Sequence, residues 1–183
     1  QVTWKMYPGG WLEMNYEYFL ENSHPFAGIS FTFPESDIIG VKWLGNGPAH
    51  VWKNRMTGGV LDVWQRFYNN RLPGDNHWGP PQFKGYYDDV SWMEFNTVDG
   101  KFTVVAAEEK LFVRLFDFHG LSGPRHYPAL PSGNLSFLDA IPPVGTKLAM
   151  GISNDTWNLG PAGEMNTMKE PVRRTLFFYF GTF

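Results

Sequence analysis

WLEMNYEYFL, residues 11 to 20, decides the fold. In an extended chain Leu12, Met14, Tyr16, Tyr18 and Leu20 fall on one side, with Trp11, Glu13, Asn15 and Glu17 opposite. That period of two marks a half-buried β-strand.

The same signal recurs outward from this segment. GISFTF (28–33) alternates Ile29, Phe31 and Phe33 with small or polar residues, PESD reads as a turn, and IIGVKWLG (38–45) sets Val41 and Trp43 around Lys42. Strand length and β-forming residues also predict strands in DVSWMEFNT (89–97), KFTVVAAE (101–108), KLFVRLFDF (110–118), KLAMGIS (147–153) and RRTLFFYFGTF (173–183). GVLDVWQRFY (59–68) also fits a helix, but its valines and the flanking Gly58 and Gly59 favour a strand. Asp99-Gly100 is a two-residue hairpin signal. Residues 69–87 and 120–145 are rich in Pro and Gly without a regular pattern, and such long loops are places to look for a site. The expected architecture is therefore all-β, one large antiparallel β-sandwich with long loops spanning residues 1–183.

Composition narrows the function. Fifteen Lys and Arg against 18 Asp and Glu give a net charge of -3, which offers no broad field for nucleic acid or an anionic membrane surface. No apolar run is long enough to span a membrane, and the first residues do not read as a signal peptide. A chain that starts at Gln1 fits an excised or processed piece of something larger. With no Cys, disulfides, thiolate metal sites and thiol nucleophiles are absent. The five His residues show no metal-ligand spacing, and neither a serine elbow nor a phosphate-binding loop is present. No metal and no cofactor are expected.

Aromatics make up 17% of the chain, which suits both aromatic cores and sugar binding, where rings stack on the apolar faces of pyranoses. HWGPPQFKGYYDD (77–89) gathers Trp78, Tyr86, Tyr87 and Asp89, two of whose rings would equally anchor the loop to its sheet. Asp155 and Trp157 in ISNDTW form a second candidate, against a plain turn with a packed ring. Trp92, Trp52 and Asn54 complete the carbohydrate-binding candidates. Carboxylates such as Asp88, Asp89, Glu94, Glu108 and Glu109 are not paired by sequence alone, so no catalytic residue is assigned.

VKWLGNGPAHVWKNR (41–55) resembles the W-x-G-x-G-P segment in the C-terminal β-sandwich of family 2 glycoside hydrolases of the β-galactosidase type, with Trp43, Gly45, Gly47, Pro48 and Arg55 matching. His50, Val51, Trp52 and Asn54 depart from that family's pattern. PPVGTKLAMGISNDTWNLGP (142–161) and the closing RRTLFFYFGTF are similar to the same domain's late segments. The resemblance implies a galactose mutarotase-like supersandwich lying C-terminal to a catalytic barrel. It implies a non-catalytic module that contributes to carbohydrate binding or to the rim of the barrel's active site, with the catalytic domain of the same polypeptide and a galactoside or plant or algal polysaccharide as partners. Periplasmic or extracellular bacterial placement is favoured, with the cytoplasm as the alternative.

Two other readings stay open. A stand-alone epimerase, mutarotase-like or lyase-like enzyme would use His77 or His119 with Glu94 or Glu108 as acid and base. A purely structural domain would brace a catalytic barrel with its exposed aromatics. Within 47–59, Trp52 and Asn54 are expected to edge a groove, and Arg55 to be a buried or bridging charge.

Overall fold

A computed structural model of the protein describes residues 1–34, 37–67, 85–115, 131–144 and 164–181. The strands are β1 (Val2–Met6), β2 (Trp11–Tyr18), β3 (Ser23–His24), β4 (Ala27–Phe31), β5 (Ile38–Val51), β6 (Val60–Arg66), β7 (Tyr86–Thr97), β8 (Gly100–Ala106), β9 (Phe112–Leu115), β10 (Leu135–Ala140), β11 (Asn166–Thr167) and β12 (Val172–Tyr179). The predicted all-β antiparallel fold is what forms. Among the described residues ten strands make one curled sheet in the order β1-β2-β12-β8-β7-β9-β10-β4, with β5 on the free side of β7 and β6 beyond it. β3 and β11 pair separately.

β7 produces the curl. Its C-terminal half pairs with β8 on one side and β5 on the other, whereas Tyr87 near its start pairs with Val113 of β9. Between the halves Asp89 takes φ 49 and accepts a hydrogen bond from the Lys110 amide at 2.8 Å, while Val90 donates to Leu111. A residue in that conformation interrupts the ladder as a bulge does and bends the strand. Gly45 of β5 lies against this bend, where a Cβ would sit 2.8 Å from the Asp88 carbonyl oxygen.

The bend lays the β9-β10-β4 layer over the layer containing β2, β12 and β8. Met14, Tyr16, Val41, Trp43, Met93, Phe95, Val104, Leu176 and Phe178 face it from the larger layer, and Val113, Leu115, Leu135 and Phe137 answer from the smaller. Phe178 meets Phe137 edge-on at 5.9 Å and Phe31 at 6.1 Å, which ties the layers together with rings. Burial of Met14 and Tyr16 matches the alternation in 11–20.

Three parts of the sequence reading need correction. LSFLDA, inside the supposed loop 120–145, is β10, with Leu135, Ser136, Phe137 and Leu138 all buried. β1, which carried no prediction, pairs with β2 along its whole length. The hairpin turn is Val98-Asp99, one residue earlier than expected, because Thr97 pairs with Gly100 and its hydroxyl bonds the Asp99 amide and the Gly100 carbonyl. Gly100 supplies φ 126 just after the turn. The predicted strand 147–153 lies outside the described residues.

A candidate binding face on the sheet

The stretch 47–59 builds a corner. β5 continues through a cis Gly47-Pro48 bond to Val51, and Trp52 and Arg55 then exchange backbone hydrogen bonds of 3.3 and 2.7 Å. Trp52 is 1% exposed and meets Tyr86 edge-on at 5.2 Å in a second small core with Val51, Leu138, Ile141 and Val144. The Asn54 side chain pairs with both backbone groups of Val144, at 3.0 Å each way, as a neighbouring strand would. Lys53 adds its amide to the Pro142 carbonyl and its ammonium to that of Met165.

This geometry corrects several expectations. Trp52, Tyr86 and Tyr87 are buried, so their rings anchor the sheet and offer no stacking face. Tyr87 packs edge-on against Trp43 at 4.7 Å and against His50 at 4.6 Å. Asn54 spends its amide on Val144, and Asp89 its carboxylate on the bend of β7. Arg55 is exposed, because its backbone and not its guanidinium makes the turn. Trp43, Gly45 and Gly47 are buried, and Pro48 is exposed. A Cβ on Gly47 would fall 2.6 Å from the Trp64 ring. Trp78, Asp155, Trp157, His77 and His119 lie outside the described residues.

Trp92 stands apart from the other candidates. It is half-buried on the outer face of the larger layer, opposite Met93, which is fully covered. Strand register places Val63 of β6, Leu44 of β5, Trp92 of β7, Val105 of β8 and Phe177 of β12 side by side in one apolar row. Four strand intervals of about 4.8 Å make that row roughly 19 Å long. Parallel to it, one step along the strands, run Gln65, Lys42, Glu94, Thr103, Tyr179 and Trp11. The rings of Trp11 and Tyr179 lie 5.0 Å apart at its end. A ligand here would meet rings and aliphatic side chains on one track and hydrogen-bonding groups on the next. Outward-facing residues of single strands do not announce this face, because only the cross-strand register brings Leu44, Trp92, Val105 and Phe177 together.

Among the described residues the carboxylates singled out by sequence do not converge on a pair. Glu94 holds Lys101 at 2.9 Å opposite Thr103, whereas Glu108 lies beyond the end of β8 and accepts the Thr175 amide. Asp88 is buried and bonded by Asn46 at 2.9 Å, and burial is the main cause raising its carboxyl above the usual range. His50 is driven down to about 3, first by burial and then by the neighbouring Arg66 guanidinium. Such an imidazole stays neutral and packed.

Sheet and face together define an all-β fold with a half-buried apolar row on its outer face. The sequence matches no family model, and no curated protein is significantly similar to it. Among the described residues no helix is long and apolar enough to cross a membrane.

Proposed function

We propose that the chain is a non-catalytic, carbohydrate-associated module working beside the catalytic domain of a larger bacterial glycoside hydrolase of the family 2, β-galactosidase type. The observation that carries the reading is Trp92, half-exposed at the centre of an apolar row that runs alongside a polar one. Sugar recognition needs that pairing of a flat apolar surface with adjacent hydrogen-bonding groups. The W-x-G-x-G-P residues support it less directly: Gly45 lies against the bend of β7, Gly47 packs against the Trp64 ring, and Trp43 is buried in the core. A module of this kind belongs where polysaccharide is met, in the periplasm or outside the cell.

Calorimetric titration with a broad panel of soluble glycans tests the reading. Saturable heats that weaken in Trp92→Ala are expected, and silence across the panel would overturn it.

A second reading, bracing of the catalytic domain, has its own observation. Val2, Trp4 and Met6 of edge strand β1 are 51%, 48% and 80% exposed, and Val60, Leu61 and Phe67 at the opposite edge are 63%, 60% and 82% exposed. Uncovered apolar edges of this kind invite a protein neighbour. If these edges, and not the Trp92 face, lose hydrogen exchange when the catalytic domain is attached, bracing is the better account.

A further inference from the structure

Resting on the carbohydrate reading, we infer that the Trp92 face takes a neutral, linear polysaccharide of equatorially linked sugars that lies across the strands. A galactoside end group or an acidic polysaccharide fits it less well.

Direction comes from the layout of the face. Along any one strand the outward residues change class within a step or two: β12 reads Arg173, Thr175, Phe177, Tyr179, and β7 reads Trp92, Glu94, Asn96. Across the strands the class is constant, apolar from Val63 to Phe177 and polar from Gln65 to Thr103. A ligand with one continuous C–H face and one continuous hydroxyl edge matches the crosswise direction alone. Equatorially linked pyranoses form such a ribbon, because their linkages keep successive rings flat and point the hydroxyls outward. Trp92 and Phe177, two strand intervals or about 9.6 Å apart, would carry separate sugar rings of one chain.

Charge selects the class. Lys42 lies directly across from Glu94, which also holds Lys101 at 2.9 Å. Lys5 lies across from Glu13, and Arg173 pairs with Glu17 at 3.0 Å. Each of these cations already faces a carboxylate, so a uronate or sulfate would have to displace a protein partner and meet Glu94 or Glu13 in doing so. A neutral hydroxyl edge needs neither change.

The experiment compares cello-oligosaccharides from the disaccharide to the hexasaccharide, soluble xylan and glucomannan, polygalacturonate, alginate and methyl β-galactoside, by calorimetry at low and high salt. Expected are affinity that rises with oligosaccharide length, little salt dependence, and about tenfold weaker binding in Trp92→Ala, equivalent to about 1.4 kcal/mol. Thr103→Val, which keeps shape and loses the hydroxyl, should also weaken binding, and circular dichroism melting confirms that both variants fold. Tightest binding to polygalacturonate or alginate, or methyl β-galactoside bound as tightly as the hexasaccharide, would overturn the inference and leave the carbohydrate reading standing. Binding to none of the probes would overturn both.

Discussion

Arg174 of β12 and Asp139 of β10 form an ion pair at 2.5 Å between the two layers, with side chains only 7% and 8% exposed. The pair is not isolated. The Tyr18 hydroxyl donates to the other Asp139 oxygen at 2.8 Å, and the rest of the guanidinium reaches the carbonyls of Glu108 and Glu109. One arginine therefore locks the layers together and pins the connection from β8 to β9.

Removing one partner of a buried pair strands the other. Asp139→Asn should lower unfolding stability by about 3–5 kcal/mol, while the double change Arg174→Leu with Asp139→Leu should cost much less, because no charge is left buried. Urea unfolding of the three proteins measures the difference. Equal losses in the single and double variants would show that packing, not charge, dominates at this position.

His50 makes stability sensitive to mild acid. Its native value of about 3 lies below the ordinary 6.5, so the unfolded chain binds the proton first as pH falls. Stability from this group is complete above about pH 6.5 and declines on acidification until native His50 itself titrates near 3. Asp88, shifted upward mainly by burial, works in the opposite sense. Between pH 6.5 and 5 His50 should contribute a falling slope, and His50→Gln should flatten it in thermal melts. An unchanged slope in that variant would remove His50 as the source.

Trp52→Ala should cost about 3–5 kcal/mol, the range for a large buried ring, and leave glycan affinity unchanged. Asn54→Ala should cost about 1–3 kcal/mol, because the Val144 amide and carbonyl both lose their partner. Denaturant midpoints read the stability, and titration of the same preparations reads the binding. A loss of affinity without loss of stability would return these two residues to the ligand site.

Gly45→Ala should destabilise by roughly 1–3 kcal/mol, since its methyl would collide with the β7 backbone at the bend and not with a side chain able to swing away. Gly58→Ala meets no neighbouring atom within 4 Å and tests backbone strain alone, at φ 101. Gly45→Ala that melts like the parent protein would mean that the bend adjusts freely.

What was legible in the sequence follows the physics of burial. β2, β5, β8, β12 and the second half of β7 each have one covered and one more open face, so their side chains alternate and the strands show. β10 is covered on both faces from Leu135 to Leu138, which erases the alternation, and it sits among prolines and glycines that suggest a loop. β1 has all five residues exposed and so little burial to signal. Among site candidates, Trp92 was visible as a ring on an alternating strand. Phe177, Tyr179 and Trp11 belong to the same face only through pairing between residues far apart in the chain, which composition and spacing do not encode. For Tyr86 and Tyr87 the sequence leaves both readings open, because a ring next to a loop looks the same whether it turns inward or outward, and the structure turns both inward.

β12 lies between β2 and β8, although it is the last described strand in the chain. Until residues 172–179 have left the ribosome, the β1-β2 hairpin has no neighbour to join and Met14 and Tyr16 have no completed layer to sit in. The layer closes only with this insertion, a long-range event that makes folding slow and leaves the incomplete sheet open to wrong pairings. A ribosome stall or a premature stop before residue 172 would release two disconnected pieces of one layer, whereas pausing after residue 179 gives the sheet time to close.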